Sequence, residues 1–140
     1  MPGAVEFRYQ PYDMDMSDVT IRSSNGFFSG SAELYVSPGE PVEAASALRA
    51  FPASNADRRE LVFGAFGSDS AGGAVRLEFF VRDLAGHVSV KITMEDAGNR
   101  GYLQEVVLGA DFEPSALDVF VAELSMLNGS AAGIATLALL

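Results

Sequence analysis

The chain has 140 residues, no cysteine, and a formal net charge of −10 from 19 acidic and 9 basic residues. This length suits a single domain over residues 1–140, and the lack of cysteine excludes disulfides, thiolate metal sites and a cysteine nucleophile. The acidic balance argues against binding to nucleic acids or acidic membranes, because both need basic residues.

The N-terminal part of the chain predicts a strand followed by a hairpin. Alternating apolar residues at positions 5–9 predict an edge strand that ends at Pro11. Asn25 and Gly26 then predict a two-residue turn, because both residues tolerate the positive φ that such a turn requires. This turn pairs Val19 with Ala32 and keeps the apolar faces of the two strands together.

An acidic turn lies between these strands, with carboxylates at Asp13, Asp15 and Asp18. Carboxylates are the preferred ligands of hard cations such as calcium. The spacing lacks the glycine and the distal glutamate of a calcium-binding loop, so we expect a solvated turn and no metal site.

A short helix and a buried strand are predicted next. Ser37 and Glu40 have the spacing of a capping box, and apolar residues recur at helical intervals until Pro52, which predicts a helix at about 41–51. Residues 60–66 are apolar on both faces, which is typical of a strand inside a covered sheet.

The clearest strand pattern runs from residue 73 to residue 95, with a corner at residues 83–87. Matching the apolar faces pairs Val81 with Val90 and places Arg76 opposite Glu95 on the outer face. The turn residues at the corner favour a tighter loop with a shifted register. We give burial of the apolar residues precedence over this turn preference.

The C-terminal part predicts a strand at residues 102–108 and a second helix that begins after Glu113. The helix is predicted by a stripe of apolar residues at helical spacing: Leu117, Phe120, Val121, Leu124 and Leu127. The uncharged tail, residues 130–140, either adds a strand or packs as a flap, and its sequence leaves both conformations open.

Together these elements predict an α+β fold. We expect a mainly antiparallel sheet of six to seven strands with the two helices packed on one face. We detect no internal repeat and no linker, in agreement with a single domain.

The corner at residues 83–87 contains the single histidine of the chain, His87, four residues after Asp83. An aspartate that orients a histidine is part of many catalytic sites, but catalysis also needs a nucleophile and an oxyanion site. We therefore expect His87 to stabilise the turn. A small-ligand site or a hydrolase that uses His87 with Asp83 or Ser89 is an alternative interpretation.

The acidic charge is concentrated near the C-terminus, because no lysine or arginine follows Arg100. The second helix carries Glu113, Asp118 and Glu123, which we predict to form a docking surface for a basic protein partner. An acidic surface that serves only solubility is the alternative. We expect no cofactor, and either a monomer or a homodimer.

A resemblance supports a binding role. Gly73, Ala74, Val75, Arg76 and Leu77, followed by Phe79, Asp83, Gly86, His87 and Val90, and then the segment 111–120, resemble small, uncharacterised single-domain proteins of bacteria. Those proteins are similar to the immunity proteins encoded beside secreted bacterial toxins. The resemblance covers about residues 64–127 and implies protein binding without a catalytic residue.

The function predicted from the sequence is therefore a non-enzymatic, toxin-inhibiting binding module. An acidic secretion chaperone for an effector protein is a further alternative, which the size and the charge also fit. The N-terminus has no basic segment followed by an apolar one, and no apolar segment is long enough to span a bilayer, so we expect a cytoplasmic protein.

Overall fold

The computed structural model describes residues 3–67, 72–96, 101–129 and 131–140. These residues form eight strands and two helices in the following order: β1 Ala4–Pro11, β2 Ser17–Ser24, β3 Ser29–Val36, α1 Glu40–Leu48, β4 Arg58–Gly64, β5 Ala74–Val81, β6 Val88–Asp96, β7 Gln104–Phe112, α2 Pro114–Ser125 and β8 Gly133–Ala138. The fold is α+β and its strand pairs are antiparallel, as expected.

The strands form two sheets, whereas one sheet of six to seven strands was expected. The first sheet has the order β3-β2-β1-β8 and the second has the order β4-β5-β6-β7. β1 is not an edge strand, because it pairs with β2 on one side and with β8 on the other. The described tail residues supply β8, so the tail adds a strand, and Ser130 lies outside the described residues.

The two halves of the chain have the same order of elements, although the sequence analysis found no repeat. Each half has three strands, a helix and a fourth strand, and each fourth strand pairs with the first strand of the other half. Both halves begin with Gly-Ala-Val, at Gly3 and at Gly73. A Cβ on Gly3 would lie 2.1 Å from the Ser24 carbonyl oxygen, and one on Gly73 would lie 2.8 Å from that of Glu95. The repeat is hidden because the halves share apolar positions more than residue identities.

The register of the first hairpin differs from the prediction by two residues. Val19 lies opposite Leu34 instead of Ala32. A four-residue loop replaces the two-residue turn, because the Asn25 side-chain oxygen accepts hydrogen bonds from the backbone N–H groups of Phe27 and Phe28, both at 2.9 Å. A shift of two residues leaves every side chain on its original face, so the apolar pattern does not distinguish the two registers.

The central hairpin is also shifted by two residues, toward a shorter loop. Val81 lies opposite Val88 instead of Val90, and Arg76 lies opposite Thr93 instead of Glu95. Gly86, with φ of 88°, supplies the left-handed residue that the tight turn needs. The loop is tighter, as the turn residues indicated, but the register shifts by two residues instead of the one that they favoured, which keeps the apolar faces together.

The position of β4 also differs from the prediction. The apolar segment at 60–66 was expected inside a covered sheet, but β4 is an outer strand that pairs with β5 alone among the described strands. Its Val62 side chain is 42% exposed, whereas Leu61 and Phe63 are buried.

One continuous core contains the inward faces of both sheets and the buried residues of both helices. Phe7 of the first sheet and Phe63 of the second lie in contact, with ring centroids 5.0 Å apart. α1 and α2 pack against each other, and each also contacts a fourth strand, β4 or β8. The helices therefore do not lie on one face of a single sheet, as expected, but complete a core between two sheets.

Helix α2 agrees with its prediction, because Leu117, Phe120 and Leu124 are buried. Helix α1 is shorter than predicted, and half of its capping box forms, since the Glu40 carboxylate accepts a hydrogen bond from the Ser37 backbone N–H at 2.6 Å. No helix in the described ranges has the length and apolarity that a membrane span needs.

Candidate functional site

The three acidic residues predicted to bind a partner have different environments on α2. Glu113 is the N-cap residue and Asp118 lies in the second turn, and both are exposed. Glu123 is half-buried, and its carboxylate accepts a hydrogen bond of 2.9 Å from the Thr136 backbone N–H in β8. Glu113 and Asp118 are therefore available to a partner, whereas Glu123 joins α2 to the first sheet.

Exposed apolar residues lie on the same helix. Val119 is 55% exposed, Met126 is 77% exposed, and Ala122 lies between them at helical spacing. Sequence analysis missed these residues because it described the outer side of the helix by its acidic residues alone. Asp118, Val119, Ala122 and Met126 lie along one side of α2, and Glu113 lies at its N-terminal end. We call these five residues the α2 face. It combines apolar contact area with negative charge, and negative charge orients a partner of opposite sign.

The charge of the α2 face is uncompensated along the chain, since no basic residue follows Arg100. Glu113 also lies at the positive end of the helix dipole, which stabilises its carboxylate there. Negative charge of this kind is electrostatically complementary to basic groups.

The predicted corner site forms, with Asp83 at its centre. The Asp83 carboxylate accepts hydrogen bonds from the backbone N–H groups of Ala85 and His87, at 3.0 and 3.2 Å. Its second oxygen lies 2.7 Å from Nδ1 of His87, whose side chain is 62% exposed. This geometry holds the turn together, as the structural interpretation of His87 predicts.

These contacts lower the pKa of Asp83. The side-chain hydrogen bond with His87 is the largest cause that holds the pKa of the Asp83 carboxyl below its ordinary value of 3.8, followed by the backbone N–H of His87. A carboxyl whose pKa is depressed in the folded state stabilises the fold above its ordinary pKa. That contribution is lost as the pH falls through the folded-state pKa.

We therefore expect Asp83→Asn to reduce the acid sensitivity of the fold. The wild-type midpoint of urea unfolding should fall more between about pH 5 and pH 2 than that of the variant. The same measurement on Asp118→Asn controls for the loss of an exposed carboxylate elsewhere. If the urea midpoint depended equally weakly on pH in both variants, the corner contacts would not be the cause of the acid sensitivity.

Ser89 does not complete a catalytic relay with His87. Its hydroxyl donates a hydrogen bond to the Asp111 carboxylate at 2.5 Å, and Nε of Arg82 lies 3.3 Å from the same oxygen. A nucleophilic serine instead donates its proton to a histidine nitrogen. This arrangement joins β6, β7 and the corner, and it does not activate the serine. Sequence analysis missed Asp111 because β7 lies far from Ser89 along the chain.

A shallow groove of about 450 Å³ lies on the outer face of the second sheet, beside this cluster. Its lining residues include Phe80, Lys91 and Gly109, and they do not include His87. On the same face the Arg58 guanidinium lies 5.6 Å from the centre of the Phe80 ring. The alternative of a deep ligand pocket around His87 therefore gains no support from this groove.

The acidic turn of the first sheet is held by its own backbone. The Asp13 carboxylate accepts hydrogen bonds from the backbone N–H groups of Asp15 and Met16, both at 2.8 Å. Within the described residues, no three acidic or histidine side chains converge in a way that could hold a metal ion.

Comparison with known proteins found no match to this chain among family models, curated proteins or solved structures.

Proposed function

We propose that the protein is a non-enzymatic binding module that docks a basic protein partner on the α2 face. The observation that carries the proposal is the α2 face itself, in which exposed Val119 and Met126 accompany the exposed carboxylates of Glu113 and Asp118. The apolar residues supply contact area, and the charges supply orientation and a faster encounter with a basic partner.

We further propose that binding inhibits a bacterial toxin with a basic active site. Two features support this role. Over about half of its length the sequence resembles small bacterial proteins that are themselves similar to immunity proteins, and the α2 face has the sign of charge that would cover a basic site. The corner and its neighbours support no catalytic role, because Ser89 and Asp83 engage their partners in structural hydrogen bonds.

The proposal predicts that reversing the charge of the α2 face weakens partner binding. The wild-type protein is used to capture its partner from the native host at low salt, and the partner is then purified. We expect Glu113→Lys with Asp118→Lys to weaken the affinity by at least about 10-fold, and to reduce its dependence on salt concentration. Isothermal titration calorimetry at several salt concentrations measures both effects.

A matched control separates local contacts from total charge. Asp15→Lys with Glu105→Lys changes two exposed acids outside the α2 face and alters the net charge equally. The proposal is wrong if this control weakens binding as much as the α2 variant does. The inhibitory role fails if saturating wild-type protein leaves the activity of the partner unchanged. A partner that is a long disordered effector would instead favour the secretion chaperone.

A further inference from the structure

The outer strands of the two sheets differ in how their free edges are covered. An outer strand presents N–H and C=O groups that its own sheet cannot pair, and most proteins cover or block them. In β3, the Glu33 carbonyl accepts a hydrogen bond from the Gly73 N–H at 2.7 Å, and the Glu33 N–H donates to the Asp96 carboxylate at 2.9 Å. The edge of β3 is therefore occupied at Glu33 by the second sheet.

The edges of β7 and β8 are each occupied at one or two residues. In β7, the Gly109 carbonyl accepts a hydrogen bond from the Asn25 side chain at 2.8 Å, and the Asp111 carbonyl accepts one from the Leu140 N–H at 2.9 Å. In β8, the Thr136 N–H donates to Glu123 of α2.

The free edge of β4 can be located from the hydrogen-bonding pattern of the second sheet. The Arg82 N–H donates to the His87 carbonyl at 2.7 Å, so the even-numbered residues of β5 bond to β6 and the odd-numbered ones to β4. The backbone groups of Glu60 and Val62, which lie opposite even-numbered residues, therefore point away from the sheet.

Nothing in the described part of the chain is hydrogen-bonded to these outward groups of Glu60 and Val62. Backbone groups without a partner are rarely buried, so we expect them to face water. The equivalent helix, α1, makes no described hydrogen bond to these outward groups. α1 is linked to β4 through the Arg59 side chain, which donates to the carbonyls of Ala47 and Arg49. This link leaves the outward backbone of β4 open.

We propose that β4 pairs antiparallel with β4 of a second copy of this chain, which would join two four-stranded sheets into one. The exposed groups are backbone N–H and C=O groups in strand geometry, and another strand is the ligand that matches them. A two-fold axis at Leu61 places Glu60 opposite Val62 of the second copy and Arg58 opposite its Gly64. This register pairs every outward-facing residue of β4, whereas an axis at Glu60 would oppose two glutamates.

The charge around β4 favours pairing with a second copy of this chain. The acidic protein repels its own copies over most of its surface. Near β4, however, the charges balance, because three arginines accompany three acids: Arg58, Arg59 and Arg76 with Asp57, Glu60 and Glu78. Arg59 pairs with Asp57 at 2.9 Å, and Nε of Arg76 lies 3.7 Å from the Glu60 carboxylate. Two copies can approach here without opposing net negative charge. Because one pair of strands buries less than a standard interface, we expect a reversible dimer with a dissociation constant on the order of 10 μM.

Sedimentation velocity of the full chain from about 1 μM to about 1 mM tests the proposal. The wild-type protein should change from monomer to dimer over this range. Val62→Pro removes an outward N–H and should abolish the dimer. Val62→Glu places like charges opposite Glu60 twice in each dimer and should weaken it by at least about 10-fold.

Val107 provides a matched control, because it lies in the same row of the same sheet on the other outer strand and is also exposed. Val107→Pro and Val107→Glu should leave the dimer unchanged, and circular dichroism checks that all four variants are folded. A monomeric wild-type protein at the highest concentration, or equal effects at the two positions, would overturn the proposal.

Cross-linking tests the register, since the chain contains no cysteine of its own. Mixing Glu60→Cys with Val62→Cys should give a disulfide-linked dimer under oxidation, because directly opposed residues are about 5.5 Å apart at Cα. Either variant alone should not cross-link, because its two cysteines would lie beyond the reach of a disulfide. Cross-linking of the single variants alone would contradict an axis at Leu61. The α2 face takes no part in this contact, so both proposals can fail or succeed separately.

Discussion

Phe120→Ala should destabilise the fold by about 3–5 kcal/mol, because Phe120 is fully buried in the core that α2 shares with both sheets. The loss of stability combines the lost free energy of burying the ring with the cost of the cavity left among its neighbours. Proteins of this size are stable by about 5–15 kcal/mol, so the variant should lose a large share of its stability. Urea unfolding followed by circular dichroism measures the change.

Val119→Ala is the control for this prediction. Val119 is the preceding residue of the same helix, but it is 55% exposed, so we expect a change within about 0.5 kcal/mol. Comparable losses in the two variants would show that α2 does not bury the face observed here.

Gly64→Ala should destabilise the fold by about 2–4 kcal/mol. Gly64 has φ of 77°, a conformation that residues with a side chain rarely adopt. An added Cβ would also lie 2.3 Å from the Gly73 carbonyl oxygen, which belongs to the backbone that leads into β5. Strain and overlap act together, and the end of the β4–β5 pair cannot relax without shifting Gly73.

The matched variant is Gly39→Ala at the start of α1. Gly39 has φ of −87°, and an added Cβ there would meet nothing within 4 Å. We expect a change within about 1 kcal/mol, since this position tolerates alanine sterically. If Gly64→Ala proved as mild as Gly39→Ala, the close approach between β4 and Gly73 would be incorrect. Thermal unfolding of both variants under the same conditions measures the two changes in stability.

The sequence predicted the elements whose signals are local. The stripe of α2 follows from helical spacing, and the faces of β5 and β6 follow from strict alternation. The corner hydrogen bond between Asp83 and His87 spans four residues, so the turn residues themselves indicate it. The sequence also located the acidic, base-free segment that carries the α2 face.

Tertiary contacts decided what these local signals leave open. A shift of two residues preserves the faces of a strand, so the registers of both hairpins depended on loop closure by Asn25 and by Asp83 with Gly86. The division of the strands between two sheets depended on exchange of the fourth strands, which joins residues far apart in the chain.

The roles of individual acidic residues were decided in the same way. Glu123 and Asp118 are both acidic and lie on the same helix, yet Glu123 bonds to the Thr136 N–H and Asp118 remains exposed. The open edge of β4 is likewise a tertiary feature, because no described residue is hydrogen-bonded to the outward Val62 backbone. The sequence by itself determined which residues are apolar, charged or suited to turns. Only the tertiary structure determined which of them meet, because contacts between distant residues depend on how the two halves pack.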